Sequence, residues 1–517
     1  MAGALEIIVA EARAYGLFSF KGIATLLGTI IAFQVLQSVA RAIYNIYFHP
    51  LRKFPGPKSW IAFDIARTVT RMMGYYDLSI RDLHLKYGEV VRIGENELSF
   101  IQPEAWKDIY GHGHAELSKY FPPNTVNPKK IIAAPGSHHF RMRRAMLPAF
   151  SDKALSQQEH LIRVYVDLLM QRLTEVAESG EATNMGRWYN LTTFDLIADL
   201  CYGQPLHGLA SGKSNRWIDQ IEAMMVFIPA LLLITSSPAI SALFNLFFGR
   251  KLKKSRTDHE EYASSLAMNR IEGKQQADRG DFMDYMLRSR GQSHQLTDPE
   301  LVANSDLIMV AGSETTATLL TAVTYWLLKT PRAHKRAVVE VRNAFTQPED
   351  ITFKEASVRL PYTLACLTEA LRIFPSIPLV LLRQTNPGAP THIAGHDIPA
   401  ETRVGVHQLA AFHSPLNFHD PESFCPERWL PEVYNDPSSP FHNDRRDVHK
   451  PFSFGPRDCI GRNLAYHEMR LILALVLWKF DLKLDAGMES WHDQKIFGLW
   501  KKPPLMVKIQ ERESESE

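Results

Sequence analysis

Phe452-Ser453-Phe454-Gly455-Pro456-Arg457-Asp458-Cys459-Ile460-Gly461-Arg462 is the stretch whose reading decides the fold. One cysteine stands between two glycines, ahead of a helical run from Asn463 to Lys479 rich in Leu, Ala and Met. Glycine permits turns closed to other residues and lets the backbone approach a flat ligand closely. Backbone N–H groups in such a loop, together with the dipole of the helix it opens, are expected to favour the thiolate over the thiol. For a lone residue, the plainer reading is a buried cysteine beside a glycine turn.

Here the whole pattern Phe-x-x-Gly-x-Arg-x-Cys-x-Gly is present. It resembles the haem-binding loop of the cytochrome P-450 family. That resemblance implies haem b held through a Cys459 thiolate, which pushes electron density into the iron. Phe452, Gly455 and Gly461 would shape the loop, and Arg457 would reach a haem propionate.

The composition suits a large globular core, with 45% of 517 residues hydrophobic and 22% charged. A net charge of +2 argues against a nucleic-acid partner. Cys201, Cys366, Cys425 and Cys459 are too few and too scattered for a disulfide framework, and no C-x-x-C pair suggests structural zinc. Gly22 to Ala40 carries no charge and, as a helix of about 28 Å, approaches the ~30 Å hydrocarbon core. The competing reading is a buried or interfacial helix. Arg41, Arg52, Lys53 and Lys58 follow it, which places the C-terminal bulk in the cytosol. His49 to Lys58 holds three prolines, predicting a stiff, extended connector. This hinge resembles those of microsomal P-450s from filamentous fungi. The expected layout is a membrane anchor over 1–48 (helix about 22–40), a hinge over 49–58, a haem-thiolate catalytic domain over 59–510 and a disordered tail over 511–517.

Further motifs follow in order. Glu89 to Ile93 and Glu97 to Ile101 read as a hairpin around Gly94-Glu95-Asn96. His139 and Arg143 share one helix face, and Arg141 and Arg144 point elsewhere. Such a basic run usually means a solvated face. In the family a Trp or His followed four residues later by Arg reaches a propionate, which would give His139 and Arg143 that role. Arg141 and Arg144 are candidates for a basic face toward a reductase. Residues 221–248 are apolar and broken by Pro229 and Pro238, so they form a poor membrane span. They read as core or, by resemblance, as a lid over a substrate channel.

Thr297 and Glu300 form a capping box, and the helical pattern continues to Lys329 before Pro331. Inside it, Ala311-Gly312-Ser313-Glu314-Thr315-Thr316 is odd for an apolar helix, because Gly costs ~1 kcal/mol there and Thr bends it. A tolerated kink is the plain account. The motif resembles the family's oxygen-binding helix, which implies a dioxygen groove with Thr315 and Glu314 handling protons. Glu369 and Arg372 lie on one helix, and Phe424 to Trp429 resembles the segment whose arginine, Arg428, completes a Glu-Arg-Arg triad bracing the cysteine loop. Ile377 to Leu382 would be a strand beside the haem, with Arg383 on a propionate.

The resemblance implies a mainly α protein with a small β-rich lobe, the P-450 triangular helical prism, behind an N-terminal transmembrane helix. The implied function is a monooxygenase of the endoplasmic reticulum membrane, acting on an apolar small molecule of fungal secondary metabolism. Electrons would come from NADPH-cytochrome P-450 reductase, with cytochrome b5 as a further partner. The rival readings are a haem-thiolate isomerase or dehydratase without external electrons, and a haem-binding sensor.

Overall fold

The computed structural model describes residues 19–121, 126–214, 217–220, 230, 234, 238–273 and 279–513. Its axis is the helix Asp298–Lys329, which starts and stops where the sequence predicts. Thr297 N–H donates to Glu300 Oε2 at 2.9 Å, and Pro331 opens the next helix. This helix is apolar and long enough to cross a membrane, but 72% of its apolar window is buried inside the protein, so it is core. Its main neighbour is the helix Met185–Tyr202. Gly312 is explained there: a Cβ would come within 3.0 Å of Ile197 Cδ1. The glycine allows close helix packing at this point. The helix Arg462–Lys479, opened by Gly461, packs against the axis and against Asp152–Ser179.

A second, smaller core lies under a mixed sheet ordered β1 (Val90–Gly94), β2 (Glu97–Phe100), β5 (Arg403–Val406), β4 (Arg383–Gln384) and β3 (Ser118–Lys119). The expected hairpin is β1 against β2, antiparallel. β5 runs parallel to β2, and β4 pairs Arg383 opposite Lys119 of β3. The two cores are the helical body and the β-rich lobe of the predicted class.

Four expectations change. The N-terminal helix is longer than 22–40, running Phe20–Tyr47. Its last turns dock on the domain: Asn45 Nδ2 donates to the Ile61 carbonyl at 3.3 Å, Arg92 Nη1 donates to the Asn45 carbonyl at 2.7 Å, and Arg41 pairs with Glu95 at 2.7 Å. The hinge is not extended. Pro50–Lys53 forms a 3-10 turn, with Leu51 and Phe54 buried in the smaller core. The two side chains gain more from burial than an extended connector would offer. Ile377 to Leu382 is irregular and the strand begins only at Arg383, because Pro375 and Pro378 lack the N–H a ladder needs. Glu511 ends β6 (Met506–Glu511), so it belongs to a strand and not to the expected tail, and residues 514–517 lie outside the described residues. Most of 221–248 lies outside the described residues. From Pro238 the chain is helical to Ile271, with Leu246, Phe247 and Phe248 exposed.

One surface escaped the sequence reading. Phe63, Ile65, Val69, Met72, Met73 and Tyr75 are exposed along and just past the helix Asp64–Met72, while Arg67 turns inward to Glu97 at 2.8 Å. This apolar face belongs to the segment that follows the docked end of the N-terminal helix.

Candidate active site

The cysteine loop closes on itself through the Cys459 N–H, which donates to the Phe452 carbonyl at 2.9 Å. Ser453 and Gly455 both adopt positive φ, at 63° and 79°. A Cβ on Gly455 would lie 1.9 Å from the Tyr110 carbonyl oxygen, so that glycine fits the loop to its own protein. Gly461 differs: a Cβ there would meet only the Phe150 ring, at 3.9 Å. Cys459 is solvent-accessible, although protein surrounds its sulfur. Burial pushes its thiol up, outweighing the Gly461 N–H, Arg143 and Arg462, which pull it down; Asp458 adds to the rise. The Gly461 N–H thus acts toward the thiolate, as expected, but does not by itself outweigh burial. A coordinated metal does, since a coordinating thiol is deprotonated outright.

Arg143, on the helix Gly136–Met146, holds this loop from outside. Its guanidinium donates to the Asp458 carbonyl at 2.8 Å and pairs with the Asp458 carboxylate at 2.5 Å. Arg457 donates to the Ala134 carbonyl at 2.7 Å and pairs with Glu116. Arg383 is buried, reaches Glu116 at 3.4 Å, and leaves its Nε without a hydrogen bond. His139 is buried with Nδ1 unbonded. Burial, then Arg457, Lys119, Arg143 and Arg383, push His139 down to about 3. Burial and the arginines push Lys119 down to about 7. Lys119 and Glu116 were missed, because no motif marks them; β-pairing with Arg383 brings Lys119 in. Among the described residues, Arg143, Arg383 and Arg457, with Lys119 beside them, face only the carboxylates of Glu116 and Asp458, and Arg462 also lies 4.0 Å from Asp458, so positive groups outnumber carboxylates.

On the axial helix, Thr315 Oγ1 donates back to the Ala311 carbonyl at 2.6 Å, and its own carbonyl accepts from Ser376 Oγ at 2.9 Å. Ser376 starts the segment that leads to Arg383, so the two regions are joined. Glu314 is buried. It accepts from Asn190 Nδ2 at 3.0 Å and pairs with Lys502, which also donates to Thr318 Oγ1 at 2.8 Å. No hydrogen bond joins Thr315 to Glu314 among the described residues. Asn190 and Lys502 lie far away in sequence and carried no signal. Lys502 follows the turn in which Phe497 N–H donates to the Leu499 carbonyl at 2.9 Å. Arg141, one candidate for a docking face, is tied to Glu300 and the Gln295 carbonyl, whereas Arg144 is exposed.

Glu369, Arg372 and Arg428 meet as expected, all fully buried. Arg372 grips both Glu369 oxygens at 2.7 and 2.9 Å, and Arg428 Nε donates to Oε1 at 3.1 Å. Asp444 balances the second arginine at 2.5 Å. Arg372 also donates to the carbonyls of Phe412, Pro421 and Ser423. The triad thus braces the chain that leads into the cysteine loop, not the loop itself.

The sequence profile of the cytochrome P450 family matches residues 54–509. The chain belongs to the cytochrome P450 family. Among its relatives is the cytochrome P450 monooxygenase dtxS2 of Metarhizium robertsii, 46% identical over 94% of both chains. The trichothecene C-4 hydroxylase of Trichoderma arundinaceum is 45% identical over 91% of this chain and 94% of its own. The cytochrome P450 monooxygenase olcB of Penicillium canescens is 45% identical over 91% and 96%. This P450 is accordingly an oxygenating oxidoreductase with a haem-thiolate cofactor, of a kind that draws electrons from a redox partner and acts on small molecules. Its N-terminal helix is a candidate membrane anchor.

The residues present fit the haem. Propionates carry the negative charge that the Lys119, Arg143, Arg383 and Arg457 cluster lacks, and the Arg383 Nε and His139 Nδ1, unbonded among the described residues, are polar atoms that such carboxylates satisfy. Gly461 is a cradle that any side chain would fill.

Proposed function

We propose that this P450 inserts one oxygen atom from dioxygen into an apolar secondary-metabolite intermediate, with Cys459 as the haem ligand and NADPH-cytochrome P450 reductase as the electron donor. Cytochrome b5 is a further donor. The observation that carries the reading is the loop Phe452–Gly461, closed on the Phe452 carbonyl beside a cluster in which positive groups outnumber carboxylates. Bound haem supplies the redox and dioxygen chemistry. Arg383, Arg457, Lys119 and His139 hold the propionates, and Arg143 steadies the loop through Asp458. Thr315 Oγ1 keeps lone pairs that can hold one ordered water while its O–H donates to the Ala311 carbonyl. Glu314 moves a proton when its carboxylate leaves Lys502 and Asn190. Thr315→Ala should bind substrate and consume NADPH, with less product and more hydrogen peroxide. Glu314→Gln should slow turnover. Unchanged product per NADPH in Thr315→Ala would leave that hydroxyl only its helix bond.

The protein is anchored once in the endoplasmic reticulum membrane, with the catalytic domain cytosolic. Deleting residues 1–40 removes the apolar part of the helix and spares the docked turns at Arg41 and Asn45. The truncated protein should still sediment with membranes through the Phe63 to Tyr75 face, and Ile65→Asp with Val69→Asp should release it. A truncated protein that is wholly soluble without detergent would contradict this second contact.

A further inference from the structure

Glu116 stands just before β3, the strand whose Lys119 pairs with Arg383 across the sheet. One of its oxygens, Oε1, serves two arginines: it pairs with Arg457 and lies 3.4 Å from Arg383 Nη1. Among the described residues no other ion pair engages either arginine, and Asp458, the other acid of the cluster, is taken by Arg143. The side chains of Arg383 and Arg457 are 4% and 5% exposed and that of Glu116 is 30% exposed, so two buried cations meet their acid at the solvent edge. Part of each guanidinium is already spent on main chain. Arg383 Nη1 donates to the Leu117 carbonyl at 3.3 Å, and Arg457 Nη1 to the Ala134 carbonyl at 2.7 Å. An arginine offers five N–H donors and a single positive charge. A propionate held by these arginines therefore shares both with Glu116. Two carboxylates on one guanidinium repel each other, and in a partly buried site that repulsion is screened less than in water.

We propose that Glu116 is a positioning residue that competes with the haem propionates for Arg383 and Arg457, loosening their grip on the cofactor and favouring ferric over ferrous iron. Charge close to a haem is one of the levers on its reduction potential. An acid that draws off the arginines' positive charge disfavours the added electron and so lowers the potential. Glu116 acts only through the two arginines. A residue that merely braced them would have the opposite effect on retention, because its loss would loosen the haem. The inference rests on the proposed role of Arg383 and Arg457 as propionate ligands.

The test uses the haem-loaded, full-length enzyme without substrate and takes two readings that need no turnover. One is the midpoint potential of the iron, from a spectroscopic redox titration. The other is the rate of haem loss to excess apomyoglobin. Glu116→Gln, neutral and of the same shape, should raise the potential and slow haem loss several-fold. Glu116→Asp keeps the charge and should stay near the wild type in both readings. The difference between Glu116→Gln and the wild type should shrink at high salt, since the acid is partly exposed. Arg457→Gln should move both readings the other way, with Arg383→Gln in its place if it takes up no haem. An unchanged potential in Glu116→Gln overturns the proposal, and so does faster haem loss, which is the result for a simple brace. If the arginine variant shifts as stated and Glu116→Gln does not, the role of Glu116 alone falls. If neither moves either reading, the propionate reading has failed and the proposal falls with it.

Discussion

Glu369→Ala should give no haem-loaded protein. Removing this carboxylate leaves Arg372 without a counter-ion and Arg428 with Asp444 alone, all of them fully buried. Breaking a buried pair from one side typically costs ~3–5 kcal/mol, because the remaining charge stays out of water. Against a total stability of ~5–15 kcal/mol, that is a fifth or more of what holds a domain. The loss also reaches further than one pair. Glu369 accepts from the Cys425 N–H at 3.0 Å and Trp429 Nε1 at 2.8 Å, so the chain entering the cysteine loop loses two more tethers. Asp444→Asn should be milder, since Arg428 keeps Glu369. Expression with added haem precursor, followed by the absorbance ratio of haem to protein, reads both variants. Haem-loaded, folded Glu369→Ala protein would show that the triad is dispensable.

The same triad has a pH signature. Burial raises the carboxyl of Glu369, but Arg372 and Arg428 more than reverse this and hold it below its usual range. A depressed carboxylate contributes stability that is present above its unfolded pKa of about 4.3 and is lost as pH falls through its folded value. Acid release of haem should therefore begin below about 4.3 and not at neutral pH.

Most of the fold was legible because its signals are local. A capping box, a proline stop and a glycine-framed cysteine each act within one turn of chain, and each appeared where it was read. The glycines show the limit. Gly312 and Gly455 are demanded by Ile197 and Tyr110, partners that sequence proximity does not reveal. The hinge was misjudged for a related reason: its prolines suggested extension, but Leu51 and Phe54 have a core to enter. Lys119, Glu116, Asn190, Lys502 and Asp444 were invisible because each completes a charge balance or, for Asn190, a hydrogen bond with residues outside its own stretch of chain.

The assignment of Cys459 has the largest expected effect on the cofactor. Cys201 and Cys366 are buried with thiols pushed far up, and Cys425 lacks the glycine frame, so one loop remains able to offer a sulfur to a flat ligand. Thiolate ligation gives the reduced carbon monoxide complex a characteristic red-shifted absorption band. That spectrum is the most direct test of the account. The wild type and Cys425→Ala should both show the band, and Cys459→Ala should lose it. A band that survives Cys459→Ala, or a haem-loaded wild type without it, would contradict the central claim.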